Sequence, residues 1–485
     1  MVINLKSVAQ LLGPAILFTG IIAIIPACVA LFNGSSGVFS FLSVTALCVA
    51  IFYILRIYSK SAKLILTIRE LFLFTTSLWT SIALLTAIPF WIMLDDIGFC
   101  ESIFETASAL STTGATAINN LNVRPPSILL WRSMLQYLGG LGFVVIAIAV
   151  LPNVASGGMN IFKTESTSFD ISAKLTPHIK TMAFYFLALY IFIVCACTAS
   201  YMLIGDMSFF MAINTAMCTV STGGMMIIDE SMTYMSPSVH YIAIFFMTTG
   251  SLPFLLLLAA ITGNPKILYK DEQVRGFFKI VIITTIVVSL SLVFFNDYDV
   301  EKAIRVSLFN IVSVISTTGF ALEDFTAFNS IATFIFFIIL AIGGCSGSTS
   351  GGIKTFRLVV AMSMFRTQIF KSLHPHSILT PRFNNKIVDS DTLRSIITFI
   401  VAYIITLLIS SFVATILGLP LSDSFTASIT CLSNVGPAMG QNLTPAGNFA
   451  GLSDPLYIVF AFDMILGRLE IIPVILCLTT VFWKK

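Results

Sequence analysis

Charge is what this sequence has least of. Of its 485 residues only 10% are Asp, Glu, Lys or Arg, while 57% are hydrophobic. A soluble surface takes charge at about a quarter of positions, so no soluble domain of useful size fits here. Histidine is scarce, with four copies, and His374 and His376 flank a proline in a polar stretch that reads as a solvated turn rather than a metal site. Most of the nine cysteines, such as Cys28, Cys48, Cys195, Cys197 and Cys477, fall in apolar runs where a thiol behaves as a small hydrophobe. There is no G-x-G-x-x-G unit, no large cytoplasmic segment and no catalytic constellation. We therefore expect neither an enzyme nor a nucleotide bound by this chain, and no nucleic acid partner.

What the sequence has is apolar length. A bilayer core about 30 Å thick needs about 20 apolar residues per helix. Ten runs qualify, near 9–32, 38–57, 71–94, 127–151, 181–204, 238–262, 277–295, 330–365, 393–418 and 454–482. The expected fold class is an all-α integral membrane protein with ten transmembrane helices. Lys6 before the first run and "ACVA" at its end imitate a signal peptide, but the run is longer than usual and a second follows at once, which favours a retained span. With the N-terminus inside, 21 of the 26 basic residues fall on one side, in Lys6, loops 56–70, 152–180, 263–279 and 354–394, and the tail. Both termini are thus expected in the cytoplasm.

Polar interruptions recur along these runs. "LSTTGA", "VSTGGM", "ISTTGF" and "LSNVGP" each follow a short half-apolar segment, one copy per pair of spans, always on the outer side. The organisation reads as two leading spans over 1–70 and then four units of span, short re-entrant helix, polar loop and span: 71–152, 181–263, 277–370 and 392–485. Small polar residues also occur where helices pack closely. Four copies in matching places argue instead for a central pathway, because irregular backbone at membrane depth is tolerated only in protein or around water. Glycine lets consecutive carbonyls turn inward, and the negative end of each short helix favours a cation there.

Two further features stand out. In "IGGCSGSTSGGIKTFR", Gly343, Gly344, Gly347, Gly351 and Gly352 interrupt the eighth run. A phosphate-binding loop is ruled out, since Ile353 separates Gly352 from Lys354 and no strand precedes it. Each glycine costs a helix about 1 kcal/mol, so this span should break. Arg468 sits inside the last run, where a charge needs a cavity or a partner; an interhelical ion pair and a functional charge both remain open.

These four loops, with "GGCSGSTSGG" and "LGRLEIIP", resemble the Trk/Ktr/HKT superfamily of potassium transporters, and the two leading spans are similar to its TrkH-type branch. The resemblance implies a single-chain pseudo-tetramer of M1-P-M2 units that passes potassium across the bacterial inner membrane, a homodimer, and a cytoplasmic TrkA-type nucleotide-binding regulatory subunit. The filter it implies is Ser111, Thr112, Thr113 and Gly114; Val220, Ser221, Thr222 and Gly223; Ser316, Thr317, Thr318 and Gly319; and Ser433, Asn434, Val435 and Gly436. Glycine in all four loops goes with potassium in this family, though Asn434 and Val435 depart from the Thr of the other loops. The implied gate is Gly343, Gly344, Gly347, Ser348, Gly351 and Gly352, with Arg468. A proton- or sodium-coupled symporter is the alternative, weakened because only Asp463 and Glu470 are carboxylates within spans. A non-transporting scaffold leaves the repeated loops unexplained.

Overall fold

The computed structural model describes residues 3–35, 37–60, 67–150, 179–445 and 447–484. Most of the basic loop at 152–180, and 61–66 of the loop at 56–70, lie outside the described residues. Long apolar helices dominate, set off by polar caps: Asp271 accepts from Gln273 N and Val274 N at the start of Glu272–Phe295, and Asp389 from Thr392 N at the start of Ser390–Ile416. Among the described residues six helices are long and apolar enough to cross a membrane, or seven if one bent pair is a single span.

The runs that do not form one long helix show why ten were counted from composition. The sixth is Pro237–Ser251 and Phe254–Ile261, bent by 104°, with Pro253 at the break removing a backbone donor. The eighth is Ser330–Ile339 and Thr355–Leu373, parted by the glycine-rich stretch as expected. The tenth is Asp454–Arg468 and Ile472–Leu478. Between these last two, Glu470 and Ile471 have φ of 62° and 59°, and Ile472 N donates to the Glu470 carbonyl at 2.6 Å. That is a γ-turn on a β-branched residue, a costly backbone state.

Four short helices sit deep among the long ones: Phe99–Leu110, Phe209–Val220, Val300–Ile315 and Leu421–Ser433. At 12, 12, 16 and 13 residues, they are too short to span, and the last seven residues of each are buried. Each packs on the long helix before it in sequence. The second and third also pack on the return helix of the preceding unit, and the first packs on Asp454–Arg468 of the last. The units therefore close into a ring, with the four helix C-termini meeting inside.

Candidate functional site

At the end of every short helix the chain makes the same turn. Thr112, Thr222, Thr317 and Asn434 have φ of 55°, 53°, 57° and 56°. Two residues later come Gly114, Gly224, Gly319 and Gly436, with φ of 91°, 75°, 84° and 97°. The residue between them bonds back onto its own helix: Thr113 N to Ser108 O (2.9 Å), Gly223 N to Cys218 O (2.9 Å), Thr318 N to Ser313 O (2.8 Å) and Val435 N to Thr430 O (3.1 Å).

This fixes a correction in the second loop. Its equivalent positions are Ser221, Thr222, Gly223 and Gly224, one residue later than the sequence-based assignment of Val220–Gly223. Val220 is the last helical residue, buried, with its carbonyl accepting from Thr349 Oγ1 at 3.3 Å. Two adjacent glycines left the register open in the sequence; the left-handed pair at Thr222 and Gly224 decides it.

In this register the loops lock together. A Cβ built on Gly114 would lie 2.3 Å from the Gly223 carbonyl oxygen; on Gly224, 1.8 Å from that of Thr318; on Gly319, 2.0 Å from that of Val435; on Gly436, 2.7 Å from that of Thr113. Each glycine thus lies against the carbonyl of the next loop, in the order first, second, third, fourth and back to the first. A side chain is excluded at all four, both by φ and by contact.

Above the ring lies a cavity of about 400 Å³ lined by all four glycines and by Asp229, Glu230, Glu323 and Asp324. Carboxylates around a low-dielectric mouth concentrate cations. Arg132 also lines it but is neutralised by Glu105, 2.7 Å away in a fully buried pair. It is a residue of the helix Pro126–Val150.

The supports differ from loop to loop. Ser111 and Ser316 hydroxyls pair with Thr113 and Thr318 at 2.6 Å each. In the second loop Gln136 Nε2 donates to the Gly223 carbonyl (2.5 Å) while its Oε1 accepts from Met225 N (3.2 Å). In the fourth, Asn434 Nδ2 donates to Thr113 Oγ1 (3.0 Å) and the Met464 carbonyl (2.8 Å), and Ser433 pairs with the Tyr403 hydroxyl (2.6 Å). The departure from Thr at 434 thus ties the fourth loop to the first. Thr112 Oγ1 and Asn434 Oδ1 are buried with no hydrogen-bond partner among the described residues. Gln136 was missed from sequence, although a polar side chain in an apolar run is a signal.

The glycine-rich break fills the inner end. Its neck is a parallel pairing of Ile342 with Ile353 and Gly343 with Lys354, so tight that a Cβ on Gly343 would lie 2.0 Å from the Gly351 carbonyl. Gly344 packs on Ser350, and Gly347 and Gly352 are left-handed, with φ of 79° and 67°. Ser348 donates to the Cys345 carbonyl at 2.6 Å. The loop reaches three of the four turns: Thr349 Oγ1 meets Thr222 Oγ1 at 3.0 Å, Gly351 N donates to Thr317 Oγ1 at 2.7 Å, and a Cβ on Gly351 would lie 2.6 Å from the Ser433 carbonyl.

Arg468 holds this loop. It lies in the middle of the tenth run, as expected, but at the end of the first of its two helices, and it donates to the Thr349 carbonyl (2.6 Å) and the Gly139 carbonyl (2.8 Å). Lys354, which sequence reading gave no part in the gate, donates from Nζ to the Ser350 carbonyl. The carboxylates nearest in sequence are engaged elsewhere: Glu470 pairs with Arg357 at 2.5 Å, and Asp463 accepts from Ser410. A space of only about 50 Å³ remains between the loop residues and Lys354, Phe399, Arg468 and Glu470, beside these bonds.

Long apolar helices around a ring of four backbone turns, with an acidic mouth and a plugged inner end, define a polytopic membrane transport protein. Residues 38–483 match the family described as TrkH, cation transport protein, and the chain belongs to that family. It is 33% identical over 419 residues, 86% of this chain and 84% of the relative, to the Trk system potassium uptake protein TrkI of Halomonas elongata. It is 27% identical over 487 residues, 99% of this chain and 100% of the relative, to the Trk system potassium uptake protein TrkH of Escherichia coli K12. The crystal structure of the potassium transporter TrkH from Vibrio parahaemolyticus matches with a TM-score of 0.88 at 27% identity, over 99% of this chain and 100% of that one. The family is one of transporters, not enzymes.

Proposed function

We propose that this chain takes up potassium across the bacterial inner membrane through a gated, channel-like pore. The filter is the ring of Ser111–Gly114, Ser221–Gly224, Ser316–Gly319 and Ser433–Gly436, and the gate is the loop from Gly343 to Gly352 latched by Arg468. In this reading ten spans build the fold, two leading and then four M1-P-M2 units over 71–152, 181–263, 277–370 and 392–485, with both termini in the cytoplasm. In the same reading the chain forms a homodimer and works with a cytoplasmic TrkA-type nucleotide-binding partner, and the nucleotide belongs to that partner.

One observation carries the proposal: each filter glycine lies against the carbonyl of the next loop, in an unbroken cycle of four. Such a cycle holds four sets of backbone oxygens at one depth around one axis, which is what a dehydrated cation needs. The four helix C-termini add their negative ends, and the unpartnered oxygens of Thr112 and Asn434 are further ligand atoms. Below, a donated network from Arg468 and Lys354 keeps two cations and the loop across the pathway.

A second reading, potassium symport coupled to protons or sodium, draws on Asp463, a fully buried carboxyl whose partner is the Ser410 hydroxyl. Potassium and sodium flux into liposomes holding the purified protein, with and without a proton gradient, separates the two. Potassium-selective flux indifferent to the gradient supports the channel; flux driven only by a gradient overturns it.

A further inference from the structure

Away from the pathway, a cavity of about 310 Å³ lies between the leading helix Leu5–Ile22, the helix Ile68–Thr86 and the helix Pro126–Val150. Phe18, 52% exposed on the outer face of its helix, stands at its edge, and Leu78, Trp79, Leu110, Gly139 and Gly142 form its walls. The hydroxyl of Thr19 on this wall is turned back onto the Ala15 carbonyl at 3.2 Å. The space is roughly twice the apolar cavity of about 150 Å³ that stays dry and takes up benzene. Water gains nothing by entering, and at membrane depth the abundant apolar solute is the lipid tail.

The position of the cavity matters as much as its chemistry. Its wall residues Trp79 and Gly139 are both neighbours of Arg468: the guanidinium lies 6.0 Å from the Trp79 ring centroid, and it donates to the Gly139 carbonyl. Leu110, on the same wall, is the last residue of the first short helix, and a Cβ on Gly139 would lie 1.8 Å from its carbonyl. One apolar space therefore has as wall residues two of the groups that Arg468 rests on.

We propose that this cavity is an acyl-chain site: a phospholipid tail enters beside Phe18, lies against Trp79 and Gly139, and by filling that side keeps Arg468 on the Thr349 carbonyl. The binding claim is independent of the gate; its effect on flux rests on the gate reading above.

The test uses the full chain in vesicles of phosphatidylglycerol with brominated tails, which quench tryptophan on contact. The Trp79 signal is the part of the fluorescence lost in Trp79→Phe. It should be quenched as strongly as that of Trp91, although Trp79 is 5% exposed and Trp91 53%. Ala15→Phe fills the cavity and should abolish that quenching, with Ile82→Phe in its place if the first protein does not assemble. A Trp79 signal untouched by bromine while Trp91 is quenched overturns the site. The link is read separately: in short-tailed vesicles basal potassium flux should rise several-fold in the unmodified protein and not in Ala15→Phe. Equal rises in both overturn the link and leave the quenching result standing, while Arg468→Ala tests the gate itself.

Discussion

The ring of four turns and the loop beneath it are both glycine-rich backbone at membrane depth, yet the balance of what holds them differs. In the ring, backbone packs on backbone: glycines lie against neighbouring carbonyls, and each turn bonds to its own helix. In the loop, side-chain donors reach in from outside, with Arg468 on Thr349, Lys354 on Ser350 and Thr355 Oγ1 on Gly343. A structure fixed by its own backbone cannot shift without losing its shape. One whose tip is held by a few side-chain bonds can move there when those bonds are exchanged, and that difference is what the proposed filter and the proposed gate each call for.

The sharpest way to break the contrast is to add a side chain to the ring. Gly224→Ala puts a methyl 1.8 Å from the Thr318 carbonyl at a φ of 75°. We expect the potassium-to-sodium flux ratio to fall at least about ten-fold, the equivalent of about 1.4 kcal/mol; an unchanged ratio in well-assembled protein removes residue 224 from the filter. Gly114→Ser should lower the ratio in the same way. Next comes the latch. Arg468→Ala removes charge-assisted bonds worth about 1.5–3 kcal/mol, so basal potassium flux without the cytoplasmic partner should rise roughly ten-fold or more with ion preference kept. Falling flux from folded protein contradicts the gate.

A smaller effect is expected from Thr349→Val. It deletes hydroxyl contacts to Thr222, Val220 and Gly250 at 3.0, 3.3 and 3.1 Å, but keeps the carbonyl that Arg468 holds. At about 1 kcal/mol net, flux should rise several-fold, less than for Arg468→Ala. The smallest change belongs to the outer rim, where the Arg124 guanidinium beside Asp96 holds its carboxyl below the usual range. A depressed carboxylate adds stability above its unfolded pKa that is lost as pH falls through the folded one. Because Asp96 is half exposed, Asp96→Asn should shift thermal unfolding at neutral pH little and at acid pH not at all.

The four turns were legible in the sequence because hydroxyl–glycine runs in an apolar chain have no bland explanation when they recur in step. The break in the eighth run was legible from its five glycines. The register at Gly223 and Gly224 was not, since neighbouring glycines carry no phase. The break at Glu470–Ile471 was not either, because nothing in a β-branched residue announces a positive φ. That break makes Arg468 a helix end in the middle of its run, and with that changes what it touches.

The cycle of glycine against carbonyl has a direction. Crowding Gly319 strains the fourth loop and crowding Gly436 strains the first, so the tightest contacts pass damage to the next loop in one direction round the ring, although Gly114 also faces the third loop's Thr318 carbonyl, 3.3 Å from its Cβ position. Pairs of substitutions in successive loops should therefore be epistatic, while pairs across the axis combine more nearly independently. In a pore made of four identical chains any change strikes all four loops at once. Here one gene encodes four distinct loops, and drift in one, such as the Asn434–Val435 pair, needs an answering change only in the loop it leans on.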